Sequence, residues 1–163
     1  MAEELAQRLK VPFASKDTFK EAMYETLGSG DDLEERIDAA ALAILFRVVD
    51  AHLDAGVSVT AESNFDAHSD VEPFRRIADR DVDVVQVHIG GDTDALVEKF
   101  AQRAASGNRH PGHGDDPSDA DELREKLEAG LWEPLDLPGV LVRADLEDDE
   151  AEIVARVQAE LRR

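Results

Sequence analysis

Two carboxylates, Asp17 and Glu62, stand just beyond short apolar runs that read as strands, Val11–Ser15 and Val57–Glu62. In an open parallel sheet, ligands bind past the carboxyl ends of the strands. Acids delivered there by different strands can hold a metal through water, or act as a base beside an electrostatic partner. The alternative is structural: Asp17 caps the helix that follows, and Glu62 is a solvated strand end. Lys16, Ser63 and Asn64 flank the pair. A third candidate region is the stretch Phe100–His113, which ends a helix and enters a loop rich in Gly, Pro and His. Arg103 and Arg109 stand out there because the chain is so acidic, and a guanidinium fork suits phosphate oxygens. A loop flanked by glycines can close over a ligand. Arg103 capping carbonyls at its own helix end is the structural alternative. His110 and His113 with Asp115 and Asp116 also read as a weak metal site, since two histidines three apart lack a third nearby.

These residues need elements to position them. Met1–Lys10 has helical spacing of Leu5, Leu9, Ala2 and Ala6. Asp17 or Thr18 is the expected cap of a helix running to about Leu27, which stops at Gly28-Ser29-Gly30. Asp31–Ala55 carries one apolar stripe through Leu33, Ile37, Ala41, Ile44 and Val48, and a second through Leu42, Leu45, Val49 and Leu53. A helix apolar on two sides is expected to be largely buried. Helices are further expected at His68–Arg80, Asp92–Ser106, Asp119–Ala129 and Asp148–Arg162, with Gly107–Ser118 as loop. Val82–Ile89 is nearly continuous Val and Ile, the pattern of a strand buried on both faces, and Val140–Ala144 is a last strand. The predicted order is α-β-α-α-β-α-β-α-α-β-α: an α/β fold with a parallel sheet, in one domain spanning 1–163.

Composition narrows the function classes. The 163 residues have 38 Asp and Glu against 18 Lys and Arg, for a net charge of −20. That excludes a general nucleic-acid binder, which needs a basic face. The acid is dispersed and lysine is scarce, as in proteins of salt-accumulating halophiles, where the charge reports habitat rather than partner. With no cysteine there is neither a disulfide nor a thiolate site. No window approaches the ~18 apolar residues of a membrane span, and no leader is visible. A cytoplasmic protein with no membrane partner is expected.

Three segments together carry a family resemblance. Ala14-Ser15-Lys16-Asp17-Thr18-Phe19-Lys20-Glu21, Val59-Thr60-Ala61-Glu62-Ser63-Asn64-Phe65, and Arg103 through His113 resemble P-loop kinases of the AAA_33 group, relatives of zeta toxins and chloramphenicol phosphotransferase. The resemblance covers most of the chain and weakens after the loop. It implies a three-layer parallel sheet in the order 2-3-1-4-5. The implied activity is ATP-dependent phosphate transfer to a hydroxyl of a small molecule or nucleotide, with ATP and Mg2+ as cofactors. By similarity Asp17 is the catalytic acid that takes the hydroxyl proton, while Lys20, Glu62 and Asn64 bind substrate. Glu62 also lies near the metal, and Arg103, joined by Arg109, meets the ATP phosphates.

The sequence departs from the family at one place. Gly-x-x-x-x-Gly-Lys-Ser/Thr precedes the family helix that Met1–Lys10 resembles, and this sequence contains no such motif. The expectation is a kinase fold truncated at its N-terminus, without the central first strand, and inactive as written. A non-catalytic remnant or binding module of the same fold is the alternative. A metal-dependent hydrolase using Asp17, Glu62 and the loop histidines ranks third. Loss of the central strand leaves two open edges, and a homodimer covering them is a partner consistent with it.

Overall fold

The computed structural model describes residues 1–28, 30–107, 110–113 and 116–162. Its elements are α1 (Ala2–Leu9), β1 (Phe13–Ser15), α2 (Lys16–Leu27), α3 (Asp31–Asp54), β2 (Thr60–Glu62), α4 (Val71–Ala78), β3 (Val85–Gly90), α5 (Thr93–Ser106), α6 (Ala120–Glu128), β4 (Val140–Asp145) and α7 (Glu150–Glu160). Short 3-10 turns lie at Pro111–His113 and Pro117–Asp119, within the stretch expected to be loop. The order of helices and strands is the predicted one.

The strands pair in parallel, as expected for α/β, but as two two-stranded sheets. β1 lies beside β2 with Phe13 opposite Thr60 and Ser15 opposite Glu62. β3 lies beside β4 from Val85 opposite Val140 to Gly90 opposite Asp145. Contacts divide the chain into two units, Met1–Ser63 with His110–Gly114, and Asn64–Arg109 with Asp115–Arg163.

In the first unit α3 supplies the main apolar surface. Ile37, Ala41, Leu45 and Val49, four residues apart, are between 0 and 4 % exposed. This buried row takes two residues from each of the stripes seen in the sequence. The other flank is open, with Ile44 at 38 % exposure, so α3 is buried on one side only. Leu5 and Ala6 of α1, Ala14 of β1 and Tyr24 of α2 complete the core. β2 is shorter than expected because the Val57 amide still donates to the His52 carbonyl in the closing turn of α3. Gly56 makes that turn with φ +70°.

α2 begins at Lys16, directly after β1, so the cap expected at Asp17 or Thr18 is displaced to Ser15. Ser15 remains in extended conformation, paired with Glu62, and its side chain does not cap the helix. Asp17 therefore sits inside the first turn, where a negative charge is favoured by the exposed amides of the helix start.

In the second unit α7 packs on both strands, and Ile153, Val154 and Val157 of the helix are buried, as are Val142 and Ala144 of β4. β3 differs from expectation: its residues are only partly buried, and Ile89 is exposed. Its run starts at Val85 rather than Val82, because the Val82 amide is turned back to the Arg80 carbonyl. Asp92 caps α5 by accepting from the amides of Asp94 and Ala95, and Asp149 caps α7 in the same way from Ala151 and Glu152. Residues 66–69 form a turn closed by the Asp66 carboxylate, so α4 starts later than the sequence pattern suggests. Val97 is the buried residue of α5, while Leu96 and Phe100 are half-buried.

Candidate functional site

The polar groups of the first unit gather where β1 and β2 end. The Ser15 hydroxyl, on a residue 5 % exposed, donates to Glu62 Oε2 at 2.6 Å and ties the two strand ends together. From there α2 presents Lys16, Lys20 and Tyr24, each four residues after the last and so on one face. α3 answers with Asp38. Lys16 Nζ donates to one carboxylate oxygen at 2.7 Å and Lys20 Nζ to the other at 2.8 Å. The lysine side chains are only 11 % and 13 % exposed. Burial pushes the Asp38 carboxyl up, but the hydrogen bonds and charges of the two lysines outweigh it and hold the group below the usual carboxylate range.

Tyr24 continues this face. It is 6 % exposed, and its hydroxyl is buried without a hydrogen-bond partner among the described residues. Desolvation raises its pKa, opposed by the charge of Lys20 and assisted by Glu34 and Asp38. The phenol is therefore neutral and keeps its proton to donate.

The Pro111–His113 turn packs on the adjoining flank of α2. His113 Nε2 meets Glu21 Oε1 at 3.0 Å, and the His110 ring stacks on Tyr24 with centroids 6.3 Å apart and planes inclined by 22°. Between them Gly112 lies so close to the base of the Tyr24 ring that a Cβ there would overlap it. The Gly112 amide donates to His110 Nδ1 at 3.1 Å. Both histidines of the expected metal pair thus have other partners. Among the described residues no three His, Asp or Glu side chains converge as a metal site, and Asp115 lies outside them.

Of the residues singled out in the sequence, Asp17, Lys20 and Glu62 belong to this first unit. Asp17 is partly buried in the first turn of α2, one residue from Lys16. Asn64 and Arg103 belong to the second unit, and Arg109 falls outside the described residues. Arg103 lies in the last turn of α5, exposed, with its guanidinium carbon 5.8 Å from the Phe100 ring centroid. The Arg103 carbonyl accepts from the Ser106 hydroxyl at 2.7 Å. Of the other strand ends, His88 is engaged through Nε2 with the Trp132 carbonyl at 2.9 Å.

Sequence reading placed Lys16 at the strand end and Glu21 in the family-like run but gave neither a role, and it did not single out Tyr24 or Asp38. The signal for Lys16 and Tyr24 was available in the spacing Lys16-Lys20-Tyr24. Asp38 was hidden as one acid among many, next to Ile37 in the buried row of α3.

An α/β scaffold with parallel strands and a cluster of charged groups at their carboxyl ends defines the class. No protein-family model matches the sequence, and no curated protein does. Among solved structures the chain is similar to the crystal structure of "a putative kinase" from Chloroflexus aurantiacus. The identity is 34 %, the TM-score 0.84, and the match covers 98 % of this chain and 89 % of that one. At this identity, over nearly the whole of both chains, the chain belongs to the same family as that protein. The kinase-like fold expected from the sequence is supported. No helix among the described residues is long and apolar enough to cross a membrane.

Proposed function

We propose that the chain is the acceptor-side part of a P-loop kinase that transfers phosphate to a hydroxyl of a small molecule or nucleotide. The observation that carries this reading is the 34 % identity and near-complete coverage shared with the Chloroflexus protein. The strand pairing agrees with it. In the order 2-3-1-4-5, removal of the first strand leaves the pairs 2-3 and 4-5, which are the pairs β1-β2 and β3-β4. On this reading a further strand, with its phosphate-binding loop, comes from outside these 163 residues.

In that role Asp17, at the start of α2, takes the proton of the acceptor hydroxyl. Lys20 binds the acceptor, and Ser15 holds the Glu62 carboxylate in one orientation. Arg103 and Arg109 offer guanidinium forks for phosphate oxygens. The residues present do not by themselves fit ATP and Mg2+. The sequence has no phosphate-binding glycine loop, and both lysines at these strand ends are held on Asp38. That same pairing favours, as a second reading, a non-catalytic binding module for the chain as written.

The test begins with the genomic DNA upstream, read in frame for an apolar strand followed by Gly-x-x-x-x-Gly-Lys-Ser/Thr. The extended chain is expected to phosphorylate a hydroxyl acceptor from a panel of sugars, antibiotics and nucleotides. Asp17→Asn is expected to abolish that transfer, while the 163-residue chain binds no ATP by calorimetry. A stop codon directly before Met1, or transfer unaffected by Asp17→Asn, overturns the assignment.

A further inference from the structure

The face of α2 that carries Lys16, Lys20 and Tyr24 holds more hydrogen-bonding capacity than its partner on α3 uses. Two ammonium groups share one carboxylate, each giving it one hydrogen bond, and each ammonium has three donors. Burying a charge is costly unless it is paired, and these two side chains are almost nine-tenths buried. Beside them lies a second unfilled demand, the partnerless Tyr24 hydroxyl. A buried hydroxyl left without a partner keeps its full desolvation penalty with no hydrogen bond to offset it.

Gly112 and the His110 ring cover the Tyr24 ring and its base, and the charges of Lys20, Glu34 and Asp38 all reach the phenol. Glu34 is a long side chain, able to turn aside and admit one ligand oxygen.

We infer that Lys16, Lys20 and the Tyr24 hydroxyl form a subsite for an oxyanion, a carboxylate or phosphate group carried by the acceptor molecule. An oxyanion supplies what the cluster lacks: acceptors for the spare ammonium donors and for the phenolic proton. Acceptors with an acidic group near the hydroxyl are thereby preferred over neutral sugars. The inference rests on the kinase reading for the word acceptor, but not for the binding itself.

The experiment is calorimetry and thermal unfolding of the full chain with inorganic phosphate and, separately, malonate, at fixed high KCl. Wild type is expected to bind one of the two probes and to unfold at a higher temperature in its presence. Tyr24→Phe removes only the orphaned hydroxyl, so the free protein is expected to stay folded and to be no less stable. Its affinity for the probe is expected to fall about tenfold, the loss of one hydrogen bond to a charged group. Lys20→Met is expected to abolish binding. Phosphate without malonate assigns a phosphorylated acceptor, and the reverse a carboxylate. Absence of binding by both probes, or equal affinity in wild type and Tyr24→Phe, overturns the subsite. The readout uses no ATP, so a failed transfer assay leaves this result standing, and the reverse also holds.

Discussion

The Ser15 hydroxyl donates to the Glu62 carboxylate across 2.6 Å, joining the last residues of β1 and β2. Because the donor is almost fully buried, Glu62 cannot turn freely into solvent. Ser15→Ala is expected to cost about 1.5–3 kcal/mol, the usual worth of a hydrogen bond to a charged acceptor. Urea unfolding of the two proteins at neutral pH measures it. Equal midpoints would show that the bond contributes nothing.

Asp38 gives a pH dependence of known sign. Its carboxyl lies below the ordinary value of 3.8 in the folded protein, because the lysine contacts outweigh desolvation. The stability it contributes is fully present above the unfolded value and is lost as pH falls through the lower, folded one. The carboxylate side chain is 42 % exposed, so solvent screening holds the contribution to about 1 kcal/mol. Asp38→Asn is expected to be less stable than wild type at pH 7, with the gap narrowing below about pH 4. A gap that is constant between pH 7 and pH 3 contradicts the assignment.

Much of the scaffold was legible in the sequence because periodicity reports burial directly. The Val-rich run around β3, the Gly-terminated helices and the i, i+4 rows of α3 and α7 all formed elements in the order read. Boundaries were less visible where a backbone group chose a local partner. Val57 bonds back into α3, and Ser15 passes from strand to helix with no loop. The exposure of Ile89 and Ile44 was not legible either, since composition says a residue is apolar but not whether a neighbour covers it. At the site, position along the strands pointed to Lys16, Asp17 and Glu62, and the family resemblance added Lys20. Position could not find Asp38, whose role depends on α3 crossing α2 at that one turn. Nor could it find the seat of Gly112, 88 residues beyond Tyr24 in the chain.

That seat is tested by Gly112→Ala. The added methyl overlaps the Cβ, Cγ and Cδ2 atoms of Tyr24. Either the 111–113 turn lifts or the ring moves, at an expected cost of about 1–3 kcal/mol. The His113–Glu21 contact should weaken with it. Trimming the ring makes room, so in Tyr24→Ala the further step Gly112→Ala is expected to cost much less. Thermal unfolding of the four proteins gives the coupling, and strict additivity would show that the turn does not rest on Tyr24.

Gly139 provides the contrast, because its obstacle cannot be trimmed. Its φ is +114°, a conformation that disfavours any side chain. A Cβ there would also overlap the carbonyl oxygen of Val84. That carbonyl accepts from the Val140 amide at 2.9 Å, just ahead of the first β3–β4 pair. Gly139→Ala must therefore strain the backbone and push on the bond that sets the register of the second sheet. The expected cost is about 2–3 kcal/mol. Val84→Ala in the same protein is expected to give no relief, because the clash is with main-chain oxygen rather than the valine side chain. Unfolding midpoints decide it: a Gly139→Ala protein as stable as wild type, or one rescued by Val84→Ala, would show that β3 and β4 meet differently at this end.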